Sequence, residues 1–239
     1  MGGKTRDKSQ PRPKNWPLEI PYLAAPLYSP QLTKEHLQSL RTRPAGAEDL
    51  TDVPRDLKPG PSTLVRITPI SDPRHPAHGQ CGLFAARDLK PGELIVPYLG
   101  EVHVGSASSD PRSPHAKSDY DLWLDHAADV AVDAARCGNE ARFVNDYRGV
   151  PGKERANAEF RAVWDPRFGG GAGERGMAVF VLPAGKKAVG KAKTVGIAKG
   201  DEILISYGKG FWGRRREESE GGEAIETGEI YDDEGGSAH

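Results

Sequence analysis

The chain has 239 residues, with 33 Lys and Arg against 34 Asp and Glu, so its formal net charge is −1. This length allows one domain with extensions, and the balanced charge excludes a uniformly basic nucleic-acid coat. Gly and Pro, at 29 and 20 residues, favour short strands and turns over a helical bundle. The two cysteines, Cys81 and Cys137, are too few for a disulfide framework or a Cys-rich zinc cluster, which indicates a reducing compartment.

The two ends of the chain differ in charge from its middle. Residues 1–15 contain five basic residues and one acidic residue, while residues 217–239 contain nine acidic residues and no Lys or Arg. Both ends have too few apolar residues to offset the entropy cost of ordering. The sequence therefore predicts a disordered basic arm over residues 1–15 and a disordered acidic tail over residues 214–239.

A Pro-rich extension over residues 16–62 follows the basic arm. One helix is expected in it, with Ser29 as its N-cap, Pro30 at the first helical position and Leu40 near its end. Beyond this helix, the run as far as Pro61 is predicted to be loop.

From residue 63 onward, short apolar and β-branched runs alternate with turns, which predicts many small strands. The runs are Leu64–Ile70, Gly82–Ala85, Leu94–Val102, Tyr120–Leu124, Val130–Ala134, Met177–Leu182 and Ile203–Tyr207. A short helix is predicted over Gly138–Asn145. Two stretches rich in Gly or Lys, Phe168–Gly176 and Pro183–Gly196, are predicted to be loops. The pattern indicates a mostly β domain and not a βαβ nucleotide-binding fold.

The common catalytic and metal-binding motifs are missing from the sequence. Its seven histidines include no pair at i, i+4 spacing, so no metal site is expected. There is no Walker A motif and no G-x-S-x-G, which disfavours P-loop and hydrolase functions. No apolar run approaches the roughly 18 residues of a membrane span, and no membrane association is expected.

Four segments carry a more specific signal when they are taken together. They are His78–Glu93, Ile95–Glu101, Val132–Asp146 with Asn157–Phe160, and Lys199–Trp212. In this order and spacing they resemble the SET-domain family of protein lysine methyltransferases. The similarity is to the family's glycine-rich opening, its Y-x-G-E, its R-F-x-N and its final segment with Y-G-x-x-F-W. The resemblance covers about residues 63–213.

The resemblance implies a mostly β, β-clip-like SET fold with several small curved sheets and short helices around a knot-like core. It also implies S-adenosylmethionine as the cofactor, with the target lysine entering from the opposite face through a narrow channel. The cofactor-binding residues that it implies are Gln80, Cys81, Gly82, Arg142, Phe143, Asn145, Asp146 and Tyr207. The substrate channel would be lined by Tyr98, Tyr120, Ile205, Phe211 and Trp212.

Tyr207 matches the family's catalytic tyrosine, and Tyr98 is the second catalytic candidate. Methyl transfer from a sulfonium is an in-line displacement, so positioning supplies most of the catalysis. The attacking lysine must be neutral, and a neighbouring sulfonium in a poorly hydrated channel lowers the pKa of its amine. A tyrosine hydroxyl can align this amine without acting as a strong base.

The sequence departs from the family's pattern at several places. Asp146 stands where the family has histidine, and Gln80 stands at the first glycine of its opening motif. The Ser-Cys-x-Pro stretch is replaced by Tyr147-Arg148-Gly149 and an insertion before Asn157. No Cys-rich segment precedes or follows the domain, so a zinc-stabilised lid is not expected.

The resemblance implies a monomeric nuclear enzyme whose substrate is a lysine of a histone tail or of another protein; a cytoplasmic enzyme is the alternative. A second interpretation is a catalytically inactive SET fold that acts as a binding or scaffold module in chromatin. Asp146 favours this second interpretation, and the retained Tyr207 disfavours it. A nucleic-acid-binding β domain would depend on Lys186–Lys193 and Arg214–Arg216 without aromatic stacking residues, so direct nucleic-acid binding is not expected.

Overall fold

The computed structural model of the chain describes residues 11–44, 50–185, 190 and 194–207. It divides into two units, Met1–Ile205 and Ser206–His239, and only Ser206 and Tyr207 of the second unit are described. Within the described residues the first unit contains twelve strands, one α-helix and three short 3-10 helices. No helix in the described ranges is long and apolar enough to cross a membrane.

The strands form two four-stranded sheets and two strand pairs. The strands are β1 (Leu27–Tyr28), β2 (Thr51–Asp52), β3 (Val65–Pro69), β4 (Cys81–Ala85), β5 (Leu94–Tyr98), β6 (Glu101–Val104), β7 (Asp121–Asp125), β8 (Val130–Asp133), β9 (Asn145–Asp146), β10 (Ala158–Asp165), β11 (Glu174–Val181) and β12 (Leu204–Ile205). The sheet orders are β1-β6-β8-β7 and β2-β10-β11-β5, and the pairs are β12-β9 and β3-β4. The 3-10 helices are Gly105–Ser109, Glu140–Phe143 and Gly169–Gly171. This arrangement confirms the predicted fold class of several small sheets with short helices.

The α-helix α1 spans Lys34–Arg41 and begins later than predicted. Its N-cap is Thr33, whose hydroxyl accepts from the His36 N–H at 3.3 Å while His36 Nδ1 accepts from the Thr33 N–H at 3.0 Å. This reciprocal capping satisfies two backbone donors at the helix start. The predicted start at Ser29 is wrong because the Ser29 N–H instead donates to Val102 O at 2.8 Å, which continues the pairing of β1 with β6.

The Pro-rich extension contributes to both large sheets through β1 and β2, and the loop predicted after the helix is wrong at β2. Strand β1 pairs in parallel with β6, and β2 pairs in parallel with β10. The extension also buries Trp16, whose ring meets those of Tyr22 and Phe143 edge to face at 5.1 Å and 5.7 Å. Asn15, which the sequence assigns to the basic arm, donates through Nδ2 to Ile67 O at 2.8 Å.

A buried carboxyl anchors this extension to the rest of the fold. Glu140 accepts from the Tyr22 hydroxyl at 3.0 Å and from the Ser62 N–H at 2.8 Å. Burial raises the pKa of Glu140, and the hydrogen bonds from its partners oppose that rise in part. Burial and the adjacent carboxyl of Glu140 also raise the pKa of Tyr22.

The longest strand pairing joins β10 to β11 over eight residues each. Strand β10 was not among the predicted runs. The loop predicted over Phe168–Gly176 is wrong from Glu174 onward, because Glu174 and Gly176 pair with Asp165 and Val163. Hydrogen bonding to a neighbouring strand outweighs the weak strand preference of these residues.

The segment that leads into β12 runs between two other strands. On one side, the Ala85 N–H donates to Asp201 O at 2.9 Å and the Ile203 N–H donates to Leu83 O at 2.8 Å. On the other side, β12 pairs in parallel with β9, and the Tyr147 N–H donates to Ile205 O at 3.0 Å. This central segment is therefore hydrogen-bonded on both sides, to β4 and to β9.

Buried His103 of β6 stacks on buried His115 of the loop before β7. The rings of His103 and His115 are parallel within 6°, with centroids 3.7 Å apart. His103 places Nε2 2.9 Å from Asp121 Oδ1 and Nδ1 2.9 Å from Val104 O, while His115 Nδ1 lies 2.7 Å from Asp133 Oδ2. A carbonyl and a carboxylate can only accept, so a doubly protonated His103 satisfies both. Burial opposes that charge, but the hydrogen bond and charge of Asp121 outweigh burial and raise the pKa of His103.

We expect the free energy of unfolding to decrease as the pH rises through the raised pKa of His103. The folded state holds this proton more tightly, so the stabilisation is complete below the ordinary histidine pKa of about 6.5 and is lost above the folded value. Urea unfolding between about pH 6 and pH 9 measures the slope, with His103→Asn as the comparison. Glu140 and Glu174 also have raised pKa values and give slopes of the same sign in both proteins. The difference in slope between wild type and His103→Asn therefore isolates the contribution of His103. Parallel curves for both proteins would contradict the assignment.

Candidate functional site

Gly82 lies in β4 where this strand meets β9 and the segment before β12. A Cβ atom added at Gly82 would lie 2.5 Å from Glu202 Oε1 and 3.1 Å from Asn145 Nδ2. Such distances are shorter than van der Waals contact, so a side chain here would displace Glu202 or Asn145. Glycine at this position therefore leaves room for both side chains where three chain segments approach each other.

Asn145 and Asn157 connect the strands around this point. Asn145 donates through Nδ2 to Glu202 Oε1 at 2.9 Å. Asn157 donates through Nδ2 to Glu202 O at 2.8 Å and accepts at Oδ1 from the Leu204 N–H at 2.8 Å. The two asparagines thus fix both the side chain and the backbone of Glu202, which is 7% exposed.

The structure adds three residues to this cluster that the site prediction did not include, namely Asn157, Glu202 and His75. Glu202 lies within the fourth family-like segment, so its position in a motif was the available signal. His75 lies outside all four segments, and its Nε2 atom is 3.1 Å from Glu202 Oε2. The sequence contains no local signal for His75 because 127 positions separate it from Glu202.

Asp146, the residue that departs from the family's histidine, is buried and paired. Its Oδ1 atom accepts from the Arg148 N–H at 2.8 Å, and its Oδ2 atom lies 2.8 Å from Arg148 Nη1. Its backbone lies in β9 opposite Ile205 of β12. The neighbouring guanidinium compensates the added negative charge, so the substitution is accommodated without an isolated buried carboxylate.

The channel candidates Tyr98 and Tyr120 are brought together. The Tyr98 hydroxyl donates to Tyr120 O at 2.6 Å, and its ring meets that of Phe160 edge to face at 5.2 Å. The guanidinium of Arg142 lies 4.6 Å from the centroid of the Tyr120 ring, within cation–π range. Arg142 also donates to Ala134 O at 2.9 Å and to the carbonyl oxygen of the next residue at 3.2 Å.

The other predicted site residues occupy different environments. Gln80 is exposed in the turn before β4, and its carbonyl accepts from the Ile70 N–H at 2.8 Å. Cys81 is half-buried, and burial raises the pKa of its thiol. The ring of Phe143 packs against Trp16 of the extension, and Ile205 is buried in β12.

Three further candidates lie toward the carboxyl end of the chain. Tyr207 belongs to the second unit and is the last described residue. Phe211 and Trp212 lie outside the described residues, as does Lys186–Lys193 apart from residue 190. The roles assigned to these residues remain predictions.

A cavity of about 460 Å³ lies between the Pro-rich segment 54–64 and β5. Tyr22 and Asn139 also line it, whereas Gly82 and Asn145 do not. The side chain of Asn139 accepts from the Leu99 N–H at 3.2 Å and donates to Pro97 O at 2.8 Å, so it is fixed against the end of β5. This cavity is therefore separate from the cluster around Gly82. Within the described ranges, no group of three or more His, Cys, Asp or Glu side chains could hold a metal ion.

A family model of the SET domain matches residues 80–208. This match spans more than half of the 239 residues, so the chain belongs to the SET domain family. The resemblance carried by the four segments is thereby confirmed. No curated protein matches the chain.

Solved structures with similar folds include polycomb repressive complex 2 of Chaetomium thermophilum bound to GSK126. That chain is 20% identical, with a TM-score of 0.45, over 66% of this chain and 18% of its own length. The ctPRC2 complex in an autoinhibited conformation bound to S-adenosylmethionine is 19% identical, with a TM-score of 0.44, over 66% and 17% of the two chains. A further structure of the Chaetomium thermophilum complex is 23% identical, with a TM-score of 0.38, over 54% and 14%. The chain thus spans less than a fifth of the length of these structural neighbours.

Proposed function

We propose that the chain is an S-adenosylmethionine-dependent protein lysine methyltransferase. SET domains are generally protein lysine methyltransferases, and this chain belongs to that family. The observation that carries the proposal is the meeting of Gly82, Asn145 and Glu202 at the crossing of β4, β9 and the segment before β12. Two of these three residues lie in motifs that the family resemblance assigns to cofactor binding.

The residues of this cluster fit a cationic cofactor. Glu202 is a carboxylate acceptor, so the amide nitrogen of Asn145 faces it and the amide oxygen faces away. That oxygen is an acceptor suited to the ammonium of the cofactor's methionine part. The negative charge of Glu202 also favours a neighbouring cation. When bound, S-adenosylmethionine would supply the methyl group on its sulfonium centre.

The chain's tyrosines would position the lysine amine. The Tyr98 hydroxyl donates its proton to Tyr120 O, so toward an amine N–H it would act as an acceptor. Tyr207 would align the neutral amine in line with the methyl group, as its match to the family's catalytic tyrosine implies. The lysine proton would leave to water before transfer.

The substrate would be a lysine of a histone tail or of another protein, methylated by a monomeric enzyme in the nucleus. Family membership supports the lysine side chain as the acceptor. The alternative is a SET fold without catalysis that acts as a binding or scaffold module in chromatin, and it rests on Asp146. The ion pair between Asp146 and Arg148 weakens that alternative, because the guanidinium compensates the negative charge that Asp146 adds to the site.

Calorimetric titration with S-adenosylmethionine tests the proposal. We expect micromolar binding by the wild type and a dissociation constant raised about tenfold or more in Asn145→Ala, because an acceptor for the cofactor is lost. Asn15→Ala is the matched control, since it removes an asparagine amide bonded to Ile67 O, outside this cluster. Transfer of a labelled methyl group to histones and cell-extract proteins would then identify the substrate. A folded wild type that binds no cofactor would contradict the proposal and favour the non-catalytic module.

A further inference from the structure

His75 has one defined tautomer in the loop before β4. It is 7% exposed, and its Nδ1 atom accepts from the Ala77 N–H at 3.0 Å. Because Nδ1 accepts, Nε2 carries the ring proton and donates it to Glu202 Oε2 at 3.1 Å. The short loop from His75 to Ala77 therefore orients the imidazole toward a single carboxylate oxygen.

Glu202 transmits this contact to Asn145. Its Oε2 atom accepts from His75, and its Oε1 atom accepts from Asn145 Nδ2 at 2.9 Å. The backbone of Glu202 is fixed independently by its bridge to Phe84 and by the amide of Asn157. The remaining freedom of the carboxylate is rotation about its side-chain bonds, and His75 restricts that rotation.

We propose that His75 is a positioning residue of the cofactor site, which acts through Glu202 to hold the Asn145 amide with its oxygen presented to a ligand. The inference rests on the proposed function and defines the ligand group as a hydrogen-bond donor, such as the ammonium of S-adenosylmethionine. Without His75, Glu202 loses one of the two side-chain donors described for it. Its carboxylate can then rotate, and the amide of Asn145 can turn over with it.

Three variants separate positioning from general stability. His75→Leu removes the donor at similar volume, whereas His75→Gln retains an amide N–H near the place of Nε2. Tyr28→Phe is the control, because it removes a different donor to a buried carboxyl, that of Glu174. We expect the dissociation constant for S-adenosylmethionine to rise about tenfold in His75→Leu and to stay within about threefold of wild type in the other two. His75→Leu and Tyr28→Phe should both lower the thermal unfolding midpoint.

A second measurement does not depend on cofactor binding. The side-chain amide signals of Asn145 in a ¹⁵N–¹H correlation spectrum, assigned by their loss in Asn145→Ala, report the hydrogen bond to Glu202. We expect them to move in His75→Leu and to remain near their wild-type positions in His75→Gln and Tyr28→Phe.

The two measurements test the positioning role of His75 and the proposed function separately. Unmoved Asn145 signals in His75→Leu, or equal losses of affinity in His75→Leu and Tyr28→Phe, would overturn the positioning role. If the wild type binds no cofactor while the signals move as expected, the proposed function fails but the control of Asn145 by His75 is supported.

Discussion

Replacing Tyr207 by phenylalanine is expected to reduce methyl transfer at least about a hundredfold while leaving the affinity for S-adenosylmethionine within about threefold of wild type. Phenylalanine retains the ring and removes only the hydroxyl that would align the lysine amine. The match of Tyr207 to the family's catalytic tyrosine, two residues after β12, supports this assignment. Methyl transfer depends on alignment, so losing one alignment group affects the rate more than ground-state binding.

Single-turnover transfer of a labelled methyl group, with calorimetry on the same preparations, measures both quantities. Tyr28→Phe is the matched control, because it removes a tyrosine hydroxyl bonded to Glu174. An equal loss of rate in Tyr28→Phe would attribute the effect to reduced stability. If Tyr207→Phe retained more than half of the wild-type rate, Tyr98 would become the main candidate for aligning the amine.

The sequence predicted two members of the central cluster, Gly82 and Asn145, because both lie in family-like motifs. Gly82 and Asn145 were both expected near the cofactor, and they meet at the crossing of β4 and β9 with the segment before β12. The space at Gly82 is occupied by the side chains of Glu202 and Asn145, and the glycine itself belongs to the first family-like motif.

Contacts between residues far apart in the sequence explain what was missed. Strand β10 carries the paired charges Glu159 and Arg161, which obscure the apolar alternation of a strand. The Arg161 guanidinium lies 4.5 Å from the centroid of the Phe180 ring on β11, so its partner is on a neighbouring strand. The role of His75 depends in the same way on Glu202, 127 positions later. The pattern of neighbouring residues in the sequence does not identify such distant partners.

Gly100→Ala is expected to lower the free energy of unfolding by about 3 kcal/mol, the largest effect on stability in this group of variants. A Cβ atom at Gly100 would lie 2.6 Å from the carbonyl carbon of Asp133 and 2.9 Å from Ala134 N. These are backbone atoms at the end of β8, so the clash cannot be relieved by rotating a side chain. The carbonyl of Gly100 also accepts from the Leu27 N–H at 3.1 Å, so a backbone shift would disturb the contact with β1.

Gly176→Ala is the matched control, because a Cβ atom there would meet only Val163 Cγ2 at 3.6 Å, an ordinary contact. Alanine also restricts the unfolded chain, so this control is expected to be neutral or more stable by up to about 1 kcal/mol. Urea unfolding of both variants measures the difference. Equal stability would mean that β6 and β8 can separate at Gly100 without loss, contrary to the close backbone approach there. A selective loss would show that the Y-x-G-E glycine is retained for packing between strands, independently of any role in catalysis.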